Sequence, residues 1–230
     1  MKTIGLLGGM SWESTLPYYR IVNQTIKERL GGLHSARVVL YSVDFHEIER
    51  MQHAGDWESA GRLLADAARR LEGAGAEFIV LCTNTMHKVA PAIEQAVGVP
   101  LLHIADATAE AIRAAGLRKV GLLGTAFTME QPFYKDRLRD AHGLEVLVPE
   151  EVERVEVHRV IYEELCLGRI LPVSREFYRA VIAGLVARGA QAVILGCTEI
   201  SLLVTQEDAA VPLFDTTLLH ARGAAEFALR

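Results

Sequence analysis

FIVLCTNT, residues Phe78 to Thr85, and AVILGCTE, residues Ala192 to Glu199, are two copies of one local pattern: an apolar run of strand length that stops in a small polar turn. Such a run, with no polar residue at alternate positions, describes a strand buried on both faces, as in a parallel sheet covered by helices. At a constant offset Thr83 falls opposite Cys197. The pattern therefore proposes two facing sites, one presenting a hydroxyl and the other a sulfur.

Two further echoes extend the repeat. IGLLGG at Ile4 to Gly9 returns as VGLLGT at Val120 to Thr125, and VPLLH at Val99 to His103 returns as VPLFD at Val211 to Asp215. The three matches keep the same order at offsets of 116, 114 and 112 residues, which generic strands do not produce. Apolar runs alternate with segments of helical period throughout, so the chain reads as an α/β protein of two related lobes. Residues 1–103 with 211–230 form the first lobe in this reading and residues 104–210 the second, with the helix from Leu218 to Leu229 completing the first.

Local signals fill in the elements. Ser11 caps a helix with Leu16, Tyr19, Val22, Ile26 and Leu30 on one face, and a strand follows from Arg37 to Val43. A loop runs from Asp44 to Gln52, and a helix starts near Asp56 and stops at Gly73-Ala74-Gly75. Thr128 with Gln131 has the spacing of a capping box. In sheets of this kind ligands gather beyond the carboxyl ends of the strands, where both TNT and CTE lie.

Composition narrows the partners. The chain has 230 residues, 50% of them hydrophobic, with 24 basic and 29 acidic residues interspersed and a net charge of -5. No basic face for nucleic acid is suggested. The opening MKTIGLLGGM meets paired glycines too soon for a signal peptide or a spanning helix, so no membrane association and a cytoplasmic location are expected. Cys82, Cys166 and Cys197 form no CxxC pair and no disulfide framework, which suits a reducing compartment.

Among residues able to carry chemistry, Cys197 precedes Thr198-Glu199 at a helix start. Main-chain N–H groups there would stabilise a thiolate, with Glu199 opposing unless it points elsewhere. A cysteine is equally a small buried hydrophobe. Thr83, Asn84 and Thr85 offer hydroxyl, amide and main-chain donors to an oxyanion, although a threonine at Thr85 also suits a helix cap. Cys82 should point away from Thr83 by strand alternation and pack in the core. Gly8-Gly9-Met10 resembles a phosphate-cradling turn but completes neither GxGxxG nor GxxxxGK, and could equally admit a substrate carboxylate. His87 either orients a polar group or packs, while His34, His46 and His103 read as surface or interface polarity. No HExxH, histidine pair or thiolate cluster offers a metal site, and GxSxG is absent.

On GLLGGMSWEST at Gly5 to Thr15, LCTNTMHK at Leu81 to Lys88 and GCTEI at Gly196 to Ile200, the chain resembles the aspartate/glutamate racemase superfamily along essentially its whole length. Within it the chain is most similar to the bacterial L-aspartate/glutamate-specific branch. The resemblance implies two pseudo-symmetric α/β lobes with parallel-rich sheets, an active-site cleft between them, no cofactor, and a homodimer. It also implies two cysteines on opposite faces of the substrate Cα, one removing the α-proton and the other delivering a proton. Cys197 matches the second; Thr83 stands where the family has the first. Met10, Gln52, Asn84, Thr85, Thr198 and Glu199 match positions around a small acidic amino acid.

Thr83 is a poor free base beside a thiolate, so the resemblance implies an enzyme that works readily from the L side and poorly from the D side. Many aspartate racemases carry a basic side chain after the second strand, where this chain has SVDFHEIE at Ser42 to Glu49; its absence argues against strict aspartate specificity and leaves room for glutamate or a broader acidic range. The competing readings are a single-cysteine decarboxylase or isomerase of small dicarboxylic acids, and a non-catalytic amino-acid-binding protein.

Overall fold

The computed structural model describes residues 1–230 and divides into two compact units, Met1–Ile104 with His220–Arg230, and Ala105–Leu219. In the first unit the chain runs through β1 (Ile4–Gly8), α1 (Trp12–Leu30), β2 (Val38–Ser42), α2 (Phe45–Ala54), α3 (Trp57–Gly73), β3 (Phe78–Leu81), α4 (Ala90–Ala96) and β4 (Leu101–Leu102). Then come α5 (Ile104–Ala114), β5 (Lys119–Gly124), α6 (Ala126–Glu130), α7 (Pro132–Asp136), β6 (Glu145–Leu147), α8 (Glu151–Glu163), α9 (Pro172–Ala187), β7 (Ala192–Gly196), α10 (Ile200–Leu203), β8 (Leu213–Asp215) and α11 (Thr216–Ala228).

Each unit holds one four-stranded parallel sheet, ordered β2-β1-β3-β4 in the first and β6-β5-β7-β8 in the second. The three sequence echoes are register-matched. Ile4 pairs with Phe78 in one sheet, and Val120 with Ala192 in the other. Ile79 pairs with Leu101, and Val193 with Leu213. Even the bonds at the strand entries repeat: Ile79 N donates to Pro100 O at 2.9 Å, and Val193 N to Pro212 O at 3.0 Å.

The central strands β1, β3 and β7 are buried along their whole length, because helices cover the sheets and every second side chain meets apolar partners on each face. On one face of the first sheet Leu7, Ile79 and Leu81 pack on Leu64, Ala68 and Leu71 of α3. On the other, Leu6, Phe78, Val80 and Cys82 pack on Tyr18, Val22 and Ile26 of α1 and on the alanines of α11. In the second unit Leu123, Val193 and Leu195 meet α8 and α9.

Four expectations need correction. Residues 211–219 belong with the second unit, since β8 completes its ladder against β7 before the chain leaves; only from His220 does α11 count with the first. The segment from Asp44 to Gln52 is helical, with Asp44 capping α2 through the His46 N–H. The cap of α6 is Thr125, which accepts from the Thr128 N–H, so the helix starts three residues earlier than the Thr128 spacing implied. Ser11 does cap α1, but the buried face is Ser14, Tyr18, Val22 and Ile26 while Leu16 and Tyr19 are 62% and 53% exposed. Small polar residues let α1 approach the glycine turn after β1, and apolar spacing alone does not register that.

Glycine is required where β5 and β7 end side by side. A Cβ on Gly196 would sit 2.7 Å from both the Leu123 carbonyl oxygen and Leu122 Cδ1. Gly196→Ala is therefore expected to cost about 1–3 kcal/mol through forced separation of the two strands, read as a lower urea midpoint at unchanged m-value.

Candidate active site

The turn after β3 is built by its own backbone. Thr83 N–H bonds the Leu81 carbonyl at 2.9 Å, and Asn84 leads into a 3-10 segment, Thr85–Val89, whose His87 N–H bonds Asn84 O at 3.1 Å. Thr83, Asn84 and Thr85 are all buried. His87 locks this turn from beneath. Its Nδ1 lies 2.7 Å from Thr83 O, and the Ile104 N–H lies 3.2 Å from its Nε2. A carbonyl can only accept and an N–H can only donate, so the ring is the neutral Nδ1–H tautomer with both nitrogens engaged. Of the two readings open for His87, this is the orienting one.

His103, expected at a surface or interface, is buried with its ring 4.3 Å from that of His87. A third histidine, His220, bonds Tyr18 through Nδ1 at 2.9 Å and donates from Nε2 to the Leu102 carbonyl. These rings fill the unit beside β4 with matched polar groups. Their separation in sequence gave no sign of this meeting.

Met10 and Gln52 join the same end of the first sheet. Met10 follows β1, the neighbour of β3, and packs with Ile48, Leu64 and Met86. Gln52, on α2, donates from Nε2 to Met86 Sδ at 3.0 Å. The glycines before Met10 serve the fold. Gly9 has φ +93°, a Cβ there would lie 2.3 Å from the Val43 carbonyl, and its N–H is taken by Thr15 Oγ1 at 2.8 Å. That N–H is already committed, so the expectation of an anion cradle at this glycine is not met.

In the second unit Cys197, Thr198 and Glu199 follow β7 and are all buried. Cys197 Sγ donates to Glu199 Oε2 at 2.9 Å, and Thr198 Oγ1 donates to the same oxygen at 2.8 Å. Glu199, expected at the substrate, thus has one oxygen committed to its two neighbours. Burial pushes the Cys197 thiol well above its ordinary value, the Glu199 charge and Cys166 push it further, and the Glu199 main-chain N–H pulls it back only weakly. The expected helix-start stabilisation of a thiolate is outweighed by this burial and by the adjacent charge, and the helix that follows, α10, has only a single turn.

Cys82 lies in the core between sheet and α1, as strand alternation requires, and burial raises its thiol too. Arg137 and His142 both bond Asp106 in the second unit, holding α5 to the segment after α7. No group of three or more His, Cys, Asp or Glu side chains is arranged to hold a metal ion. No helix is long and apolar enough to cross a membrane.

Two outcomes are expected. His87→Leu removes both bonds of a buried ring and should lower stability by about 2 kcal/mol, seen in chemical denaturation. Cys82 and Cys197 have folded pKa values above the unfolded value of about 8.5, so the stability they contribute is complete below that value and lost as pH rises beyond it. The urea midpoint should fall between pH 8 and 9.5, and fall less in the less stable C82A chain.

A model of the Asp/Glu/Hydantoin racemase family matches residues 7–224. Over 227 residues, 95% of each chain, the sequence is 25% identical to the broad specificity amino-acid racemase RacX of Bacillus subtilis (strain 168). Among solved structures, a candidate Asp/Glu racemase from Yersinia pestis is 61% identical with both chains fully covered, at a TM-score of 0.93. An aspartate racemase homologue from Pyrococcus horikoshii OT3 is 39% identical over the full length of both, at 0.85. A family match over nearly the whole chain, on a fold shared with these structures, makes this protein a member of the Asp/Glu/Hydantoin racemase family.

Proposed function

We propose that the chain is a cofactor-independent racemase of small acidic amino acids, L-glutamate and/or L-aspartate, with Cys197 working on one face of the substrate Cα and Thr83 on the other. The observation that carries this is the register: Thr83 and Cys197 leave equivalent central strands at equivalent positions of two sheets with the same strand order. A reaction that must handle a proton on either face of one carbon needs two such groups, and a duplicated sheet supplies them.

The α-proton of an amino acid is weakly acidic, and a cofactor-independent enzyme brings no electron sink to it. The donors around the carbanion therefore carry the stabilisation. Asn84, Thr85, Gln52 and Thr198 are neutral and suit carboxylates without adding charge, with Met10 supplying apolar contact. Thr83 differs from Cys197 in kind. Its hydroxyl can deliver a proton, or relay one from water, far more readily than it can act as an alkoxide base. Abstraction from the L side by sulfur is the fast direction, and the asymmetry is kinetic, since free racemisation has no equilibrium preference. The same reading has the protein act in the cytoplasm as a homodimer.

A second reading is favoured by one observation. A thiol kept protonated by burial has a proton in place for a strongly basic carbanion or enolate, and a single-cysteine decarboxylase or isomerase of small dicarboxylic acids needs protonation on one face only. Malonate or maleate turnover without any α-proton exchange from amino acids would select it.

Incubation with L- or D-glutamate and L- or D-aspartate in heavy water, followed by proton NMR, tests the first reading. Exchange is expected to be at least tenfold faster from L, abolished from L by C197S, and gained from D by T83C. Faster exchange from D would overturn the assignment of faces.

A further inference from the structure

Resting on the racemase reading above, we propose that Glu199 is the proton acceptor that turns Cys197 into a base. Three consecutive residues carry the argument. One carboxylate oxygen receives both the Cys197 thiol and the Thr198 hydroxyl, at 2.9 Å and 2.8 Å. Cys197 and Glu199 are 8% and 2% exposed, so water competes only weakly for the pair. A carboxylate aimed at an anionic substrate would repel it, whereas one aimed at a thiol has a proton to take.

The need for such an acceptor follows from the surroundings of the sulfur. Burial and the neighbouring charge disfavour the thiolate, so loss of the proton to bulk water is held back at neutral pH. Transfer to a bonded neighbour leaves the net charge of the pair unchanged and avoids that loss. Other ionisable groups on elements packed around Cys197 are differently engaged. Tyr178 on α9 donates to the Val157 carbonyl and is held neutral by burial, and Asp215 at the end of β8 accepts from the Thr217 and Leu218 N–H groups. Cys166 packs against the same core and offers no carboxylate.

The protons balance. The Cys197 S–H bond breaks as an O–H bond forms on Glu199 Oε2. The thiolate takes the substrate α-proton, forming S–H and leaving the electron pair on Cα. The opposite face is protonated from the Thr83 hydroxyl, which is refilled by water, and Glu199 releases its proton to water as product leaves. One proton enters at Thr83 and one departs at Glu199.

The test follows α-proton exchange from L-glutamate and L-aspartate in heavy water from pH 6 to 10, in wild type, E199Q and E199D. The wild-type rate should be nearly flat across neutrality. E199Q should be at least 100-fold slower at pH 7 and recover as pH rises and hydroxide ionises the thiol. E199D should keep the flat profile at a reduced rate. E199Q within threefold of wild type at pH 7, or slow with an unchanged flat profile, overturns the proposal. If circular dichroism shows E199Q unfolded, a hydroxide-dependent E199D profile overturns it instead. Wild type without exchange from either amino acid sinks the racemase reading rather than this one. The pair is then read from iodoacetamide alkylation of Cys197 in a C166S background, where wild type should be flat across neutrality and the E199Q or E199D profiles should behave as above; identical wild-type and E199Q profiles would overturn it.

Discussion

Parallel pairing of the central strands is the constraint on which the rest depends. β1 against β3, and β5 against β7, are buried on both faces, so their backbone groups must be satisfied within the ladder and their register cannot slip without exposing apolar side chains. Once the register is set, the residue leaving each strand is set too. Thr83 and Cys197 owe their equivalence to it, and the glycines at the end of β5 and β7 let the two strands stay close at that edge.

Around each turn the two units solve different problems. In the first, a neutral imidazole from His87 joins the Thr83 carbonyl to the Ile104 N–H, fixing a turn whose side chains are all neutral. In the second, the turn carries a charge next to a thiol in a place shielded from water, where electrostatic interactions are strong. One unit presents a set of neutral donors; the other presents a sulfur whose proton is bound tightly and has a single adjacent place to go. A hydroxyl in one turn and a thiol in the equivalent turn is consistent with that division, because delivering a proton asks less of a group than removing one from carbon.

Much of this was legible in the residues. The offsets of IGLLGG, FIVLCTNT and VPLLH against their second copies correspond to the pairings Ile4 with Phe78 and Ile79 with Leu101, repeated as Val120 with Ala192 and Val193 with Leu213. Apolar runs report burial directly, and a repeat reports shared topology. Less legible were features decided by approach between elements. The face of α1 is chosen by Ser14 and Tyr18 rather than Leu16 and Tyr19, Asp44 to Gln52 coils into a helix, and His87, His103 and His220 gather from distant segments. Polar side chains do not announce in sequence which partner they will find.

The sequence by itself determined the two-sheet architecture, the pairing of Thr83 with Cys197 as equivalent positions, and membership of the family, since all three reside in the order and spacing of residues along the chain. Only the tertiary structure decided the protonation of Cys197 and the direction in which Glu199 points. The acidity of a thiol is governed by how much water reaches it and by charges a few ångströms away, and both are properties of packing in three dimensions.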